Sequence, residues 1–228
     1  MIGTFWRWLL LEDEGLLVRI GWGVMIFAAL ALIDLRRRGC CATRWREYLF
    51  LLAAVVMAMT YGVINDQITC TISWQYFQMH DVSIAAAFGD NLPPPQSILR
   101  WEALKLGLKA TWSGGLIIGA AMLIANNPRR DRAQLPYRSL FKLLLIPWGL
   151  AAVLAIVLGL AGYAGLLSGG QTGDCAQESL RFLAVFGSHL GGYIGGAMGL
   201  VIAVVAILLK RRTTATEQHT DQPQAGGS

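Results

Sequence analysis

Five long apolar blocks limit what this chain can fold into. They cover about 16–34, 47–65, 104–125, 141–166 and 181–209, and each reaches the length of about 20 residues that crosses a bilayer as a helix. Because the hydrocarbon holds no water, backbone groups there must be satisfied within helices or a closed barrel. Barrel strands alternate apolar and polar residues, whereas these blocks are continuous. The sequence therefore predicts an all-α membrane protein with five transmembrane helices.

Basic residues indicate how the chain is oriented. The connections after the first and third blocks, the start of the fourth block and the segment after the fifth together hold 13 of the 19 lysines and arginines. Short basic loops stay in the cytoplasm, so we expect the N-terminus outside and the C-terminus inside. This placement explains the net charge of +5 without a nucleic-acid partner and makes membrane lipid the expected surroundings.

The longest connection, 66–101, is then predicted to lie outside as an ordered cap loop. Apolar residues at 68, 70, 72 and 74 alternate with polar ones, a period of two that favours an extended segment. Residues 1–212 would form a single transmembrane domain. The tail 213–228 has almost no apolar residues and is predicted to be a disordered cytoplasmic segment.

Two cysteines fall in the predicted outer loops. Cys70 and Cys175 would lie in an oxidising compartment, where a disulfide between them is permitted. Spacing alone does not establish the geometry of a bridge, so two unpaired thiols are the alternative. Cys40 and Cys41 fall on the reducing side and are expected to remain thiols.

Small residues recur at every fourth position in two spans. They are Gly107, Thr111, Gly115 and Gly119 in the third span, and Gly187, Gly191, Gly195 and Gly199 in the fifth. Such stripes let helix backbones approach closely in lipid. We therefore predict helix packing through these residues, with the third and fifth spans in contact or one of them against a second copy of the chain.

Polar residues near the outer ends of the spans form a candidate pocket, because polar groups at membrane depth are costly and usually functional. They are Asn65, Asp66, Tyr76, His80, Lys109, Arg181, His189 and Tyr193.

His189 is the sharpest of these candidates. It can be a structural residue bonded to Thr111, Tyr193 or a backbone carbonyl. It can also relay protons with Asp66 or Tyr193, or hold a metal or haem together with His80. No cofactor and no metal are predicted, because the spacing of these histidines matches no ligand pattern.

Asp66 lies at the C-terminal end of the second predicted span, where the helix dipole favours cations. We expect it to form a structural ion pair with Arg181, Lys105 or Lys109, which lie on the same side of the membrane.

The stretch "YGVINDQITCTISWQYF" is similar to part of an uncharacterised family of multi-pass bacterial inner-membrane proteins, in which Asn-Asp precedes a Thr-rich run and Glu-Tyr-Phe. The matching positions are Asn65, Asp66, Thr69, Tyr76 and Phe77. Gln75 stands where the family pattern has an acid, which removes a carboxylate. The resemblance implies a bacterial cytoplasmic membrane location and no particular activity.

Two functions fit the sequence. The favoured one is association with a membrane-protein partner or a second copy, as a scaffold, accessory subunit or assembly factor, through the glycine-lined helices and the outer cap. The alternative is a small transporter or membrane-embedded enzyme with an outward-facing pocket around Asp66, His80 and His189. No phosphate loop, nucleophile elbow or dinucleotide fingerprint occurs in the sequence.

The orientation can be tested with a reporter fused after Arg212 and with a membrane-impermeant thiol label. We expect the reporter to be active only in the cytoplasm, because basic segments resist translocation. The label should not reach Cys40 or Cys41 in sealed cells. A periplasmic reporter would invert the topology.

Overall fold

A computed structural model describes residues 15–39, 44–80, 93–128, 134–167 and 176–220, apart from the side chains at 16, 17, 80, 176–178 and 213–220. The helices are α1 (Leu16–Arg38), α2 (Arg44–Thr69), α3 (Trp74–His80), α4 (Gln96–Ala125), α5 (Tyr137–Tyr163) and α6 (Ala176–Thr220). Five of them, all except α3, are long and apolar enough to span a membrane. No strand occurs in these ranges. The all-helical class with five candidate spans is therefore confirmed, while the orientation and the cap loop stay predictions.

The predicted extended segment after the second span is wrong. α2 continues to Thr69, where the Cys70 amide still donates to the Asp66 carbonyl at 2.9 Å. A short turn leads into α3, and Cys70, Tyr76 and Phe77 pack into one buried cluster. Tertiary burial of these residues overrides the alternating pattern. The connection is thus shorter than predicted, and 81–92 lie outside the described residues.

The last helix is longer than the predicted span. α6 runs on to Thr220, so residues 213–220 are helical where a disordered tail was expected. A helix that has already formed extends with one hydrogen bond per added residue and needs no new nucleus. The first proline after the span is Pro223, which with 221–228 lies outside the described part of the chain.

α2 and α4 form an antiparallel pair held by close backbone contact. A Cβ added to Gly107 would lie 2.7 Å from the carbonyl carbon of Gly62, and one added to Gly115 would lie 2.7 Å from the Ala54 carbonyl oxygen. Both distances are too short for a real side chain, so only glycine permits this approach. The small residues of the third span therefore face the second span.

α5 and α6 form a second antiparallel pair, built in the same way. A Cβ at Gly187, Gly191 or Gly195 would meet the carbonyls of Leu158, Leu154 and Leu150 respectively. Gly199 similarly lies against Pro147. The third and fifth spans do contact each other, as one of the predicted alternatives had it. Their glycine stripes, however, pack against the neighbouring span within each helical hairpin.

The two hairpins stand side by side and are closed at both ends by apolar clusters. One cluster contains Phe50, Met122, Leu144 and Ile207. The other lies under α3 and contains Phe77, Leu99 and Val185. The space between the clusters is framed by α2, α4, α5 and α6.

α1 lies outside this frame and packs against α2. Its Phe27 ring lies 5.9 Å from the ring of Tyr48. Asp34 is buried and accepts a hydrogen bond from the Arg44 amide at 3.0 Å. This carboxylate satisfies one of the unpaired N–H groups at the start of α2.

Two buried polar side chains fix the connection between the hairpins. Arg211, only 2% exposed, donates to the carbonyls of Ala125 and Asn127 at 2.6 and 2.7 Å. Asn126 exchanges two hydrogen bonds with the backbone of Leu135. A cation at the carbonyl end of α4 is favourable for the helix dipole. The last span thus stabilises the end of the third.

Replacing Gly191 with alanine tests the close contact of α5 and α6. We expect Gly191→Ala to lower the free energy of unfolding by about 1–3 kcal/mol, because the methyl group would overlap the Leu154 carbonyl. Thermal unfolding of the purified protein in detergent measures the change.

The matched control is Gly149→Ala on α5, where an added Cβ meets nothing within 4 Å. This substitution should be neutral or stabilise by up to about 1 kcal/mol, since alanine has the higher helix propensity. Equal effects at the two positions would contradict the packing described.

Candidate functional site

A buried Asp66–His189 pair joins the two hairpins. The Asp66 carboxylate oxygen lies 3.0 Å from Nε2 of His189, and the two side chains are 5% and 12% exposed. Nδ1 of the same imidazole lies 2.9 Å from the Val185 carbonyl oxygen, one turn earlier in α6. Both ring nitrogens therefore contact oxygen atoms, which fixes the ring.

These two contacts limit where the protons of the His189 ring and the Asp66 carboxyl group can lie. A carbonyl oxygen can only accept, so Nδ1 must carry a proton that it donates to Val185. The contact between Nε2 and Asp66 then needs one more proton, which lies on the imidazole or on the carboxyl group. Whichever group holds it, the pair shares one proton and has no net charge.

The pair belongs to a longer polar chain between α2 and α6. The Asn65 amide nitrogen donates to Asp66 Oδ1 at 3.4 Å, and the Ser188 hydroxyl donates to the Asn65 amide oxygen at 3.1 Å. We call Asn65, Asp66 and His189 the polar end. Each group in it has a partner, as buried polar groups require.

Aromatic rings cover His189 from the side of α3. The Tyr76 ring stacks on the imidazole with centroids 4.6 Å apart and an angle of 27° between the planes. Phe77 meets the same imidazole edge-on at 6.1 Å. Burial raises the pKa of Tyr76 to about 12, so its phenol stays protonated at neutral pH. Tyr76 thus covers one face of the imidazole.

A cavity of about 290 Å³ begins at the polar end and continues between the hairpins. Tyr61, Thr111 and Tyr193 line it near the pair, and Ala58, Ile118 and Leu200 line it further along. Tyr61 also links α2 to α5, since its ring lies 5.7 Å from that of Trp148. An apolar cavity with a few polar groups at one place is the usual form of a small-molecule site.

The cavity opens sideways between α4 and α6. The exposed lining residues are Ala110, Ile117, Tyr193 and Ala197. Ile117 and Tyr193 are 61% and 59% exposed, whereas the lining residues of α2 and α5 are buried or half-buried. We call this gap the lateral opening. Both helices are membrane-spanning candidates.

The structure brings together five of the eight residues predicted for the pocket. Asn65, Asp66, Tyr76, His189 and Tyr193 lie at or beside the polar end. Lys109 and Arg181 are exposed and do not line the cavity. The side chain of His80 lies outside the described residues.

The prediction that Asp66 pairs with Arg181, Lys105 or Lys109 is wrong. Its partner is His189, while Lys105 pairs with Glu102 at 2.6 Å. Asp66 was one of the alternative partners of His189 in the sequence analysis, although His189 lies 123 residues beyond it. Sequence reasoning also missed Tyr61 and Ser188, although Ser188 directly precedes the histidine.

The alternatives for metal and disulfide chemistry rest partly on residues outside the described part of the chain. Among the described side chains, no group of three His, Cys, Asp or Glu could hold a metal ion. Cys70 is a free, buried thiol whose pKa is raised by that burial. Cys175, its predicted partner, lies outside the described residues, as do Cys40 and Cys41, so the bridge stays a prediction.

No family model, curated protein or solved structure matches this chain. The similarity of the stretch 61–77 to bacterial membrane proteins therefore stays an expectation. Function has to be argued from the geometry of the site.

A double-mutant cycle tests the Asp66–His189 contact. Each of Asp66→Asn and His189→Gln should destabilise the protein, because it leaves a buried partner without its hydrogen bond. The double variant should lose less stability than the sum of the two single losses. The coupling free energy, measured by thermal unfolding, should be about 0.5–3 kcal/mol.

The control cycle combines Asp66→Asn with Arg181→Gln, the partner expected from the sequence. Arg181 is exposed, so the two effects should add to within about 0.5 kcal/mol. Coupling to Arg181 and none to His189 would refute the site geometry.

Proposed function

We propose that this protein binds a small molecule inside the bilayer, as a small transporter or a membrane-embedded enzyme, in the cytoplasmic membrane of a bacterium. The observation that carries the proposal is the Asp66–His189 pair at one end of an otherwise apolar cavity. By the predicted orientation, this end of the cavity is the extracytoplasmic one.

The position of the pair supports a role in binding. Ionisable groups within spanning helices are costly and normally serve a function. A buried pair contributes little net stability compared with apolar residues of the same volume. Asp66 and His189 both line the cavity, so a bound molecule can contact them directly.

The proton between the two groups gives the site a chemical capability. A ligand hydroxyl or carbonyl that bonds to Asp66 or His189 competes for the same donor and acceptor atoms. A ligand that displaces one member of the pair breaks the shared hydrogen bond, and the freed proton can then leave to water. This release links ligand affinity to proton exchange. Such a linkage serves proton-coupled transport and acid–base catalysis equally.

Association, the function favoured from sequence, has less support. It relied on glycine faces that would meet a partner helix and on the outer cap, of which 81–92 lie outside the described residues. Gly107, Gly115, Gly191 and Gly195 instead contact neighbouring helices of the same chain. A partner would have to use other surfaces.

Filling the cavity tests the proposal. Gly196 lines the cavity, and an added Cβ there meets nothing within 4 Å. We expect Gly196→Phe to occupy the site and to exclude the natural ligand. Mass spectrometry of organic extracts from the purified protein should reveal a molecule that is present in the wild type and depleted in this variant.

Gly149→Phe is the matched control, since Gly149 is equally unobstructed but does not line the cavity. Its extract should match that of the wild type. Indistinguishable extracts from all three proteins would contradict a ligand-binding cavity.

A further inference from the structure

We infer that the ligand is an uncharged amphiphile of the membrane, with one hydroxyl or carbonyl head and an apolar tail, and that it enters through the lateral opening. This inference rests on the proposed function for the location of the site. It adds the chemical class of the ligand and its source.

The charge of the site excludes an ionic head. Among the described residues that line the cavity there is no lysine or arginine. The Asp66–His189 pair carries no net charge, because one proton is shared between its members. A phosphate or carboxylate would lie beside the Asp66 oxygens without a compensating cation, which is strongly unfavourable away from water. An uncharged head that both donates and accepts fits these groups.

The walls further along the cavity require an apolar tail. Ala58, Ile118 and Leu200 line this part, and they offer no side-chain hydrogen bond. From His189 to Leu200 the wall of α6 extends about 16 Å at 1.5 Å per residue. The site thus runs along the helices, in the direction of the lipid chains.

The volume indicates how much of the ligand is enclosed. The cavity of about 290 Å³ is roughly twice the size of the 150 Å³ engineered cavity that holds benzene. The head and several methylene groups fit inside, and a longer tail must leave through the lateral opening. Ile117 and Ala197 at this opening give the tail an apolar path into the bilayer.

Photoreactive alcohols test this inference with the full-length protein in phosphatidylcholine nanodiscs. The probe is dodecanol with a diazirine beside the hydroxyl and an alkyne at the tail end. We expect saturable labelling within 61–66 or 189–193, mapped by peptide mass spectrometry. Unlabelled dodecanol should compete, whereas dodecyl phosphate should compete about tenfold more weakly, because its anionic head has no cation to meet.

Two comparisons distinguish the site from general contact with lipid. Gly196→Phe should abolish the saturable labelling and Gly149→Phe should leave it unchanged. Gly114→Leu fills the cavity from α4 at another unobstructed glycine and replaces Gly196→Phe if that variant does not fold.

The analogous photoreactive hexanol, a more water-soluble probe with the same head, should label more weakly if the ligand comes from the bilayer.

The possible outcomes separate this inference from the proposed function. Equal or stronger competition by dodecyl phosphate would overturn the uncharged head. Stronger labelling by the hexanol probe would overturn the membrane source. If no labelling saturates while the extract of Gly196→Phe still lacks a molecule present in the wild type, the ligand class is wrong and the binding cavity stands. If both experiments are negative, both proposals fail.

Discussion

Contact between backbones at glycine positions governs the architecture. Lipid is as apolar as the side chains, so helices in a bilayer associate mainly through close packing and hydrogen bonds. Gly191 lets α6 approach the Leu154 carbonyl of α5, and Gly107 lets α4 approach Gly62 of α2. Each hairpin is therefore a closely packed unit. Since the glycine faces are used within the hairpins, the surfaces between the hairpins meet less closely, and this is where the cavity lies.

Specific polar contacts connect the hairpins at their two ends. Asp66 and His189 join them at one end, and Arg211 joins α6 to the end of α4 at the other. Between these points the walls are mostly apolar, and only α4 and α6 expose cavity residues to the surroundings. The cavity thus lies between these two contacts.

The sequence predicts the properties of single segments of this protein well, and the contacts between segments poorly. Continuous apolar blocks identify all five candidate spans, because span length is a property of each segment alone. Asp66 and His189 were also identified individually, since polar residues at membrane depth are rare. Their contact was one of the alternatives for His189, whereas nearby lysines and arginines offered Asp66 a simpler ion pair. The partner of the Gly191 stripe was missed because a glycine stripe specifies a close approach and leaves the identity of the approaching helix open.

Because Arg211 lies in the last described helix, its hydrogen bonds to the end of α4 can form only after α6 has been synthesised. The carbonyls of Ala125 and Asn127 end the third span, yet their donor belongs to the last. A chain leaving the ribosome therefore exposes the end of α4 until α6 has been translated. His189 arrives with the same final helix. The cavity consequently forms only once α6 has been synthesised, so a truncated translation product lacking α6 would have no such cavity.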